Sequence, residues 1–293
     1  MTPSVCYHVE ETLLRRLQRA NGLHVNERHY GDGVGQHDTV KNVGLNSSYK
    51  KYLTMIGWPK PIDHTYILCN PKKEPDRIHY LQTWFASNNI DPKCYTIGYS
   101  CYGSDLSIGE LRRLHNHDQI RTAVPYNNCI RGISSGRTHA LNPSEISLVV
   151  NWAAAAKKAV LAGHQVVMIF ESDVLFSENF MGKLDGAMKA LEGHPWDFLS
   201  ISASADLRPV RGSDSHDGWF PAHPYYHTRT CDAMIFKVSM LKKILSTLFP
   251  FVDVLDWELN YQLTLHNSIS LWLDPPIVRQ GSNGEEYATT LAS

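Results

Sequence analysis

Gln165-Val166-Val167-Met168-Ile169-Phe170-Glu171-Ser172-Asp173-Val174-Leu175-Phe176 is the stretch whose reading decides the fold. Val166 to Phe170 form an unbroken apolar run rich in β-branched residues, the pattern of a strand covered on both faces. Such a strand tolerates no isolated charge in its interior, because an unpaired buried carboxylate is costly. Glu171 and Asp173 are therefore expected where the strand leaves the sheet, the edge at which open α/β sheets bind ligands. Two carboxylates one residue apart repel each other unless something positive lies between them. A divalent cation that also holds phosphate oxygens meets that need. The alternative is two solvated acids in a turn.

Outward from this strand the chain alternates strand and helix. On its N-terminal side, Asn142, Pro143 and Glu145 spell a capping box for a helix running to about Ala162, with Gly163 as its stop. Ala153 to Ala156 give that helix a thin face for close packing on a sheet. Earlier, His64 to Asn70 read as the first strand, followed after Pro71 to Arg77 by an amphipathic helix through Phe85, with Asp76 and Arg77 in its first turn. The helix dipole disfavours an Arg there unless it reaches an anionic ligand or pairs with a neighbouring acid. Lys93 to Gly98 read as a second strand, and Ile108 to Asn116 as a helix.

On the C-terminal side, Ser177 is the expected cap of a helix over Glu178 to Leu191. Trp196 to Ser202 and Cys231 to Val238 read as strands, with a helix from Ser239 to about Leu248. Asp256 opens a further helix, and Ile269 to Leu273 is the last strand expected. Between them, Ala203 to Thr230 is long, polar and aromatic, including Arg208, Arg211, Asp214, His216, Trp219, His223, Tyr225, Tyr226 and His227. A loop of that length in a compact domain is usually functional or disordered, and its aromatics favour the former. Aromatics beside hydrogen-bonding groups suit a sugar, which has an apolar face and a polar rim. Arg131 to Arg137 is either a loop that folds over substrate or a plain linker.

The 293 residues suffice for one large α/β domain or two small ones. Balanced charge, 28 basic against 29 acidic residues, argues against a nucleic-acid surface. No apolar run reaches the length of a membrane span, and the N-terminus lacks a signal-like core. The six cysteines are scattered without a C-x-x-C pair, which points to free thiols in a reducing compartment and a cytoplasmic location. His115 and His117 read as surface residues. Residues 1–60 read as an N-terminal extension, with a surface helix at Val9 to Ala20 and a short helix at Ser47 to Met55; residues 61–293 read as the main domain.

Several blocks, in order, resemble family-25 glycosyltransferases, the lipooligosaccharide and collagen galactosyltransferase group. They are H-T-Y-I-L-C-N with E-P-D-R-I-H-Y-L, N-P-S-E-I-S-L-V-V-N-W with I-F-E-S-D-V-L-F, T-C-D-A-M-I-F, V-L-D, and P-P-I-V-R-Q. The resemblance spans roughly residues 64 to 284. Two departures stand out: the family's E-D-D has Ser172 at its centre here, and its Ser-His before the central helix is Asn151-Trp152.

The resemblance implies an α/β, GT-A-type Rossmann-like mixed sheet flanked by helices. It also implies an inverting, metal-dependent transfer of sugar from a nucleotide-sugar, usually UDP-linked, to a hydroxyl of a glycan or glycoconjugate acceptor such as lipopolysaccharide. Mn²⁺ or Mg²⁺ is the implied metal. Asp173 and Glu171 would hold it on the donor diphosphate as a D-x-D-like clamp around Ser172. Asn70 and Arg77 would contact the nucleotide, and His227 or Gln280 would complete the metal or phosphate shell. An inverting transfer needs a carboxylate base. Asp256 is the first choice, with Glu258 and Asp232 as rivals and an ordinary helix cap as the other reading of Asp256. A second class is a catalytically inactive relative that binds a glycan or protein. A nucleotidyltransferase ranks lower, because Asn70 to Arg77 contains no glycine to cradle a triphosphate.

Overall fold

The computed structural model describes residues 55–98, 101–115, 141–203, 207–209, 215, 217–223 and 226–283. The named elements all lie in one compact unit, Ile56–Ser293. The helices read at Val9 and Ser47, the Arg131 to Arg137 loop, and Cys6, His117, Cys129, Arg211, Asp214, His216 and Tyr225 lie outside the described residues.

In chain order the elements are β1 (His64–Leu68), α1 (Pro75–Ser87), β2 (Tyr95–Gly98), α2 (Ile108–Leu114), α3 (Pro143–Leu161), β3 (Val166–Glu171), β4 (Val174–Phe176), α4 (Phe180–Ala190), β5 (Phe198–Ser200), β6 (Trp219–Pro221), β7 (Ala233–Lys237), α5 (Val238–Thr247), α6 (Leu255–Leu265), β8 (Ser270–Leu273) and β9 (Val278–Gln280). Seven strands form one mixed sheet in the order β2-β1-β3-β7-β5-β8-β6. Strands β2, β1, β3, β5 and β8 run one way, and β7 and β6 run the other. The fold is a Rossmann-like α/β sheet flanked by helices, as the strand-helix alternation predicts.

Strand β3 sits at the centre because both of its faces are apolar. Val166 to Phe170 are all buried. Met168 and Phe170 enter one core with Leu81 and Phe85 of α1 and Phe180, Leu184 and Met188 of α4. The opposite face is covered by α3 and α5, where Trp152 packs edge-on to Phe236 of β7 at 5.7 Å. Each buried side chain of this size is worth about 1.5–3 kcal/mol of apolar transfer, which makes the two-faced centre of the sheet its most stable part.

Local grammar sets the boundaries. The capping box at α3 is present, with Asn142 Oδ1 accepting from Glu145 N and Glu145 Oε2 accepting from Asn142 N, both at 2.9 Å. Gly163 follows α3 at φ 72°, where a side chain would be strained. A second box, Ser107 with Glu110, starts α2.

Four expectations need correction. Helix α4 begins at Phe180, after Asn179 at φ 54°, rather than behind a Ser177 cap. Ser177 N is instead bonded to Ile277 O at 3.0 Å, extending the pairing of β4 with β9. Strand β9 follows β8, so β8 is not the last strand. The polar stretch before Thr230 contains β6, which closes the sheet edge against β8. His115 is buried, not superficial, and its Nδ1 lies 3.3 Å from Phe251 O.

Candidate functional site

The sheet order reverses between β1 and β3: the chain leaves β1 for β2 on one side and returns as β3 on the other. At such a switch point the two following loops part, leaving a crevice at the carboxyl ends of the strands. Glu171 ends β3 there, and Ser172 and Asp173 turn the chain into β4. The antiparallel strand β7 starts at the same edge, so Cys231 and Asp232 lie beside the acids. Glu171 N donates to Asp232 O at 2.9 Å.

Four carboxylates meet at this edge. Burial pushes Glu171 up to about 8, and the charges of Asp173, Asp232 and Asp256 add to the rise. Against them, the Cys231 thiol donates to Glu171 Oε1 at 2.9 Å. Burial and the same acids push that thiol well above its usual range, so it stays a donor. Asp173 is buried, and its Oδ2 accepts from Ser282 Oγ at 2.6 Å. Among the described residues its Oδ1 is buried without a hydrogen-bond partner. A buried carboxylate oxygen left so is costly unless a cation takes it.

Among the described residues, no three His, Cys, Asp or Glu side chains are grouped to hold a metal ion alone. Mg²⁺-type sites, however, often use one or two carboxylates and take their other ligands from substrate phosphates and water. The orphaned Asp173 Oδ1 and the mutually repelling acids fit a cation of that kind. The hard oxygen donors match Mn²⁺ or Mg²⁺ rather than a thiophilic metal.

Arg77 is buried, and its Nη1 donates to Ser172 Oγ and to Glu74 Oε1, each at 2.9 Å. It is therefore built into the acid turn and paired with a neighbour, not extended toward an open cleft as expected of a nucleotide contact. Asn70 turns the chain at the end of β1. Its Oδ1 accepts from Lys72 N at 3.0 Å and Lys73 N at 3.2 Å, and its N donates to Glu74 Oε2 at 2.6 Å. Gln280 ends β9 opposite Val174, and the next residue, Gly281, donates its N–H to Asp173 O at 2.7 Å.

The three acids read as alternative bases separate by environment. Asp256 is half-buried in the first turn of α6; its Oδ1 accepts from Trp257 N at 2.9 Å, and Val254 is the cap residue. Asp232 is fully buried and accepts from Ser202 Oγ at 2.9 Å and from Thr230 Oγ1. Burial raises its pKa, which those bonds partly offset. Glu258 is removed from the role by its bonds. Its Oε2 accepts from Val252 N at 3.0 Å and Asp253 N at 3.3 Å, and its Oε1 accepts from Gln262 Nε2 at 3.1 Å, so it fastens the loop before α6.

His227 is also corrected as a metal ligand. Its Nδ1 is bonded to Ser270 Oγ at 2.8 Å and its Nε2 to Thr264 Oγ1 at 3.1 Å. Thr264 gives its proton to Asn260 O and Ser270 gives its proton to Ser268 Oγ at 3.0 Å, so both ring nitrogens face hydroxyl oxygens within the fold. His227 is buried among them. Trp219, expected among the exposed sugar-binding aromatics, is fully buried and donates its indole N–H to Ala187 O at 2.7 Å. Asn151 and Trp152 are buried in α3, where Asn151 bonds the backbone of Cys101.

Sequence reasoning missed Cys231, Ser282 and Glu74. Only Glu74 carried a local signal, its i, i+3 spacing to Arg77.

No protein-family profile matches the chain, and no curated protein matches it. Among solved structures it is similar to A197 from STIV at 15% identity and a TM-score of 0.34, over 73% of this chain and 83% of that one. It is also similar to UDP-glucose pyrophosphorylase complexed with UDP-glucose, at 9% identity and a TM-score of 0.34, over 72% of each chain. Overlaps at that level carry neither fold nor activity from those proteins to this one.

Proposed function

We propose that residues 61–293 form an inverting, metal-dependent glycosyltransferase domain, with residues 1–60 as an extension to it. It transfers a sugar from a nucleotide-sugar, a UDP-sugar in the first instance, to a hydroxyl of a glycan or glycoconjugate. One observation carries the reading. Glu171 and Asp173 flank Ser172 at the sheet's switch point, with Asp173 Oδ1 buried and unpartnered in a pocket of like charges.

Asp173 and Glu171 would hold the cation, which when bound offsets the charge of the leaving nucleoside diphosphate. The chain's own groups do the rest. Ser282 and Gly281 fix Asp173 from the far side. Arg77 fixes Ser172 between the acids and compensates part of their field. Asp256 accepts the acceptor's hydroxyl proton while that oxygen bonds the anomeric carbon and the bond to the diphosphate breaks, its electron pair leaving with the diphosphate. Asp256 is preferred to Asp232 because it is half-exposed, while Asp232 is closed in by Ser202 and Thr230.

The test is a screen of sugar nucleotides with Mn²⁺, read by melting temperature and by release of nucleoside diphosphate. Asp173→Ala is expected to abolish metal-dependent release while the fold survives. Full activity in that variant sinks the metal role.

A second reading, a catalytically inactive glycan- or partner-binding relative, draws support from Cys231 occupying Glu171 Oε1. It requires that no sugar nucleotide be turned over at any Mn²⁺ concentration.

A further inference from the structure

At the start of α6 lies an aromatic cluster that neither the metal clamp nor the base uses. Trp257 follows Asp256 directly in the first turn of α6. Its ring meets that of Tyr226 at a centroid distance of 5.6 Å and an interplanar angle of 74°. Tyr226 in turn lies 5.3 Å from His223, tilted at 41°. All three side chains are half-buried, each with part of its surface in solvent. Two rings near a right angle make a corner, offering one face and one edge to whatever enters.

The corner is held rigidly from behind. Tyr226 N donates to His223 O at 3.0 Å. Thr228 N donates to Asn260 Oδ1 at 2.7 Å, and Thr228 Oγ1 reaches Asp256 O at 3.4 Å, tying the segment after Tyr226 to α6. His227 points inward, bonded to Ser270 and Thr264. Fixed rings lose little entropy when a ligand arrives, so contacts made there convert efficiently into affinity.

The polar atoms of the corner are as telling as its rings. Among the described residues, neither the indole N–H of Trp257 nor the hydroxyl of Tyr226 has a hydrogen-bond partner. Buried Trp and Tyr usually satisfy these groups within the protein, as Trp58, Trp219 and Trp272 do here, although the indole N–H of Trp152 does not among the described residues. Where they are left over beside accessible ring faces, the ligand that completes them has an apolar face and hydroxyls at its rim.

We infer that Trp257, Tyr226 and His223 form the subsite for the acceptor's sugar ring, so that the acceptor is a glycoside rather than a protein side chain or a lipid alcohol. The C–H face of the pyranose stacks on the corner, and its hydroxyls take the indole N–H and the phenol. Thr228, two residues after Tyr226, bonds the Asp256 carbonyl, and that tie places the bound ring's nucleophilic hydroxyl on the side of Asp256. The assignment rests on the transferase reading for the direction of attack, but ring binding itself does not depend on turnover.

Saturation-transfer NMR on the full chain with a panel of methyl glycosides and disaccharides tests it, with nucleotide release from sugar nucleotides and Mn²⁺ measured separately on the wild type. At least one glycoside is expected to receive saturation on one ring face. That transfer should fall at least fivefold in Trp257→Ala and in Tyr226→Ala, and be largely kept in Trp257→Phe, whose ring preserves the stacking. If a variant fails to fold, Trp257→Phe combined with Tyr226→Leu replaces it. Glycoside transfer without nucleotide release upholds the subsite and overturns the transferase. Nucleotide release with no glycoside transfer, or with transfer unchanged in the variants, overturns the subsite and leaves the transferase standing.

Discussion

Arg77 Nη1 lies 2.9 Å from Ser172 Oγ and equally close to Glu74 Oε1, so one buried guanidinium joins the turn after β1 to the turn after β3 across the switch point. Removing it takes that cation from buried Glu74, whose Oε2 keeps the neutral Asn70 N–H. Arg77→Met is expected to cost about 3–5 kcal/mol of folding stability. Ser172→Ala, which removes only a hydrogen bond to a charged donor, is expected to cost about 1.5–3 kcal/mol. Urea denaturation checks both, and equal losses would mean that the ion pair with Glu74 contributes nothing beyond the Ser172 bond.

Glu171 should make the protein's stability fall with rising pH. Its folded-state pKa of about 8 lies above the ordinary 4.5, so the folded chain holds a proton that the unfolded chain has released across that window. The contribution is complete below about 4.5 and is lost as pH rises through about 8. A cation needs the ionised carboxylate, so the melting-temperature gain from Mn²⁺ should grow from pH 6 to 8. Glu171→Gln should flatten both trends in a scanning-calorimetry series.

His227 acts in the opposite sense. Burial lowers its pKa to about 4 from 6.5, so the unfolded chain takes up the proton first as pH falls. Stability on its account is intact above 6.5 and declines toward about 4, by roughly 3 kcal/mol in all. His64, stacked on His164 at 5.2 Å and likewise lowered to about 4, adds in the same direction. His227→Gln, which can still bond Ser270 and Thr264, should shallow the acid limb of a denaturation-versus-pH curve.

Trp219 is fully buried with its N–H on Ala187 O, under α4 and away from solvent. Trp219→Ala is expected to cost about 3–5 kcal/mol through the cavity it leaves. Trp219→Phe should cost less and leave glycoside binding as in the wild type. Loss of glycoside binding in the folded Phe variant would return Trp219 to the ligand surface.

Features that depend on neighbours along the chain were legible in the residues alone. The apolar run of β3 dictated a central strand, because a ribbon buried on both faces admits no charge until its end. Asn142, Pro143 and Glu145 dictated the start of α3, because capping is satisfied within one turn. The acids Glu171 and Asp173 were placed at the sheet edge for the same local reason.

The partner that each polar group found was settled instead by folding. Arg77 turned from a ligand contact into a strut because residue 172 folds back to within reach from far along the chain. His227 and Glu258 lost their expected roles because hydroxyls from other segments enclose the imidazole and amides bond both carboxylate oxygens. Trp219 moved from surface to core because β6 pairs with β8, a contact no local pattern encodes. Hydrogen-bond satisfaction is a property of the assembled interior, so a residue's type fixes what it can bond, and the fold fixes whether anything is left for a ligand.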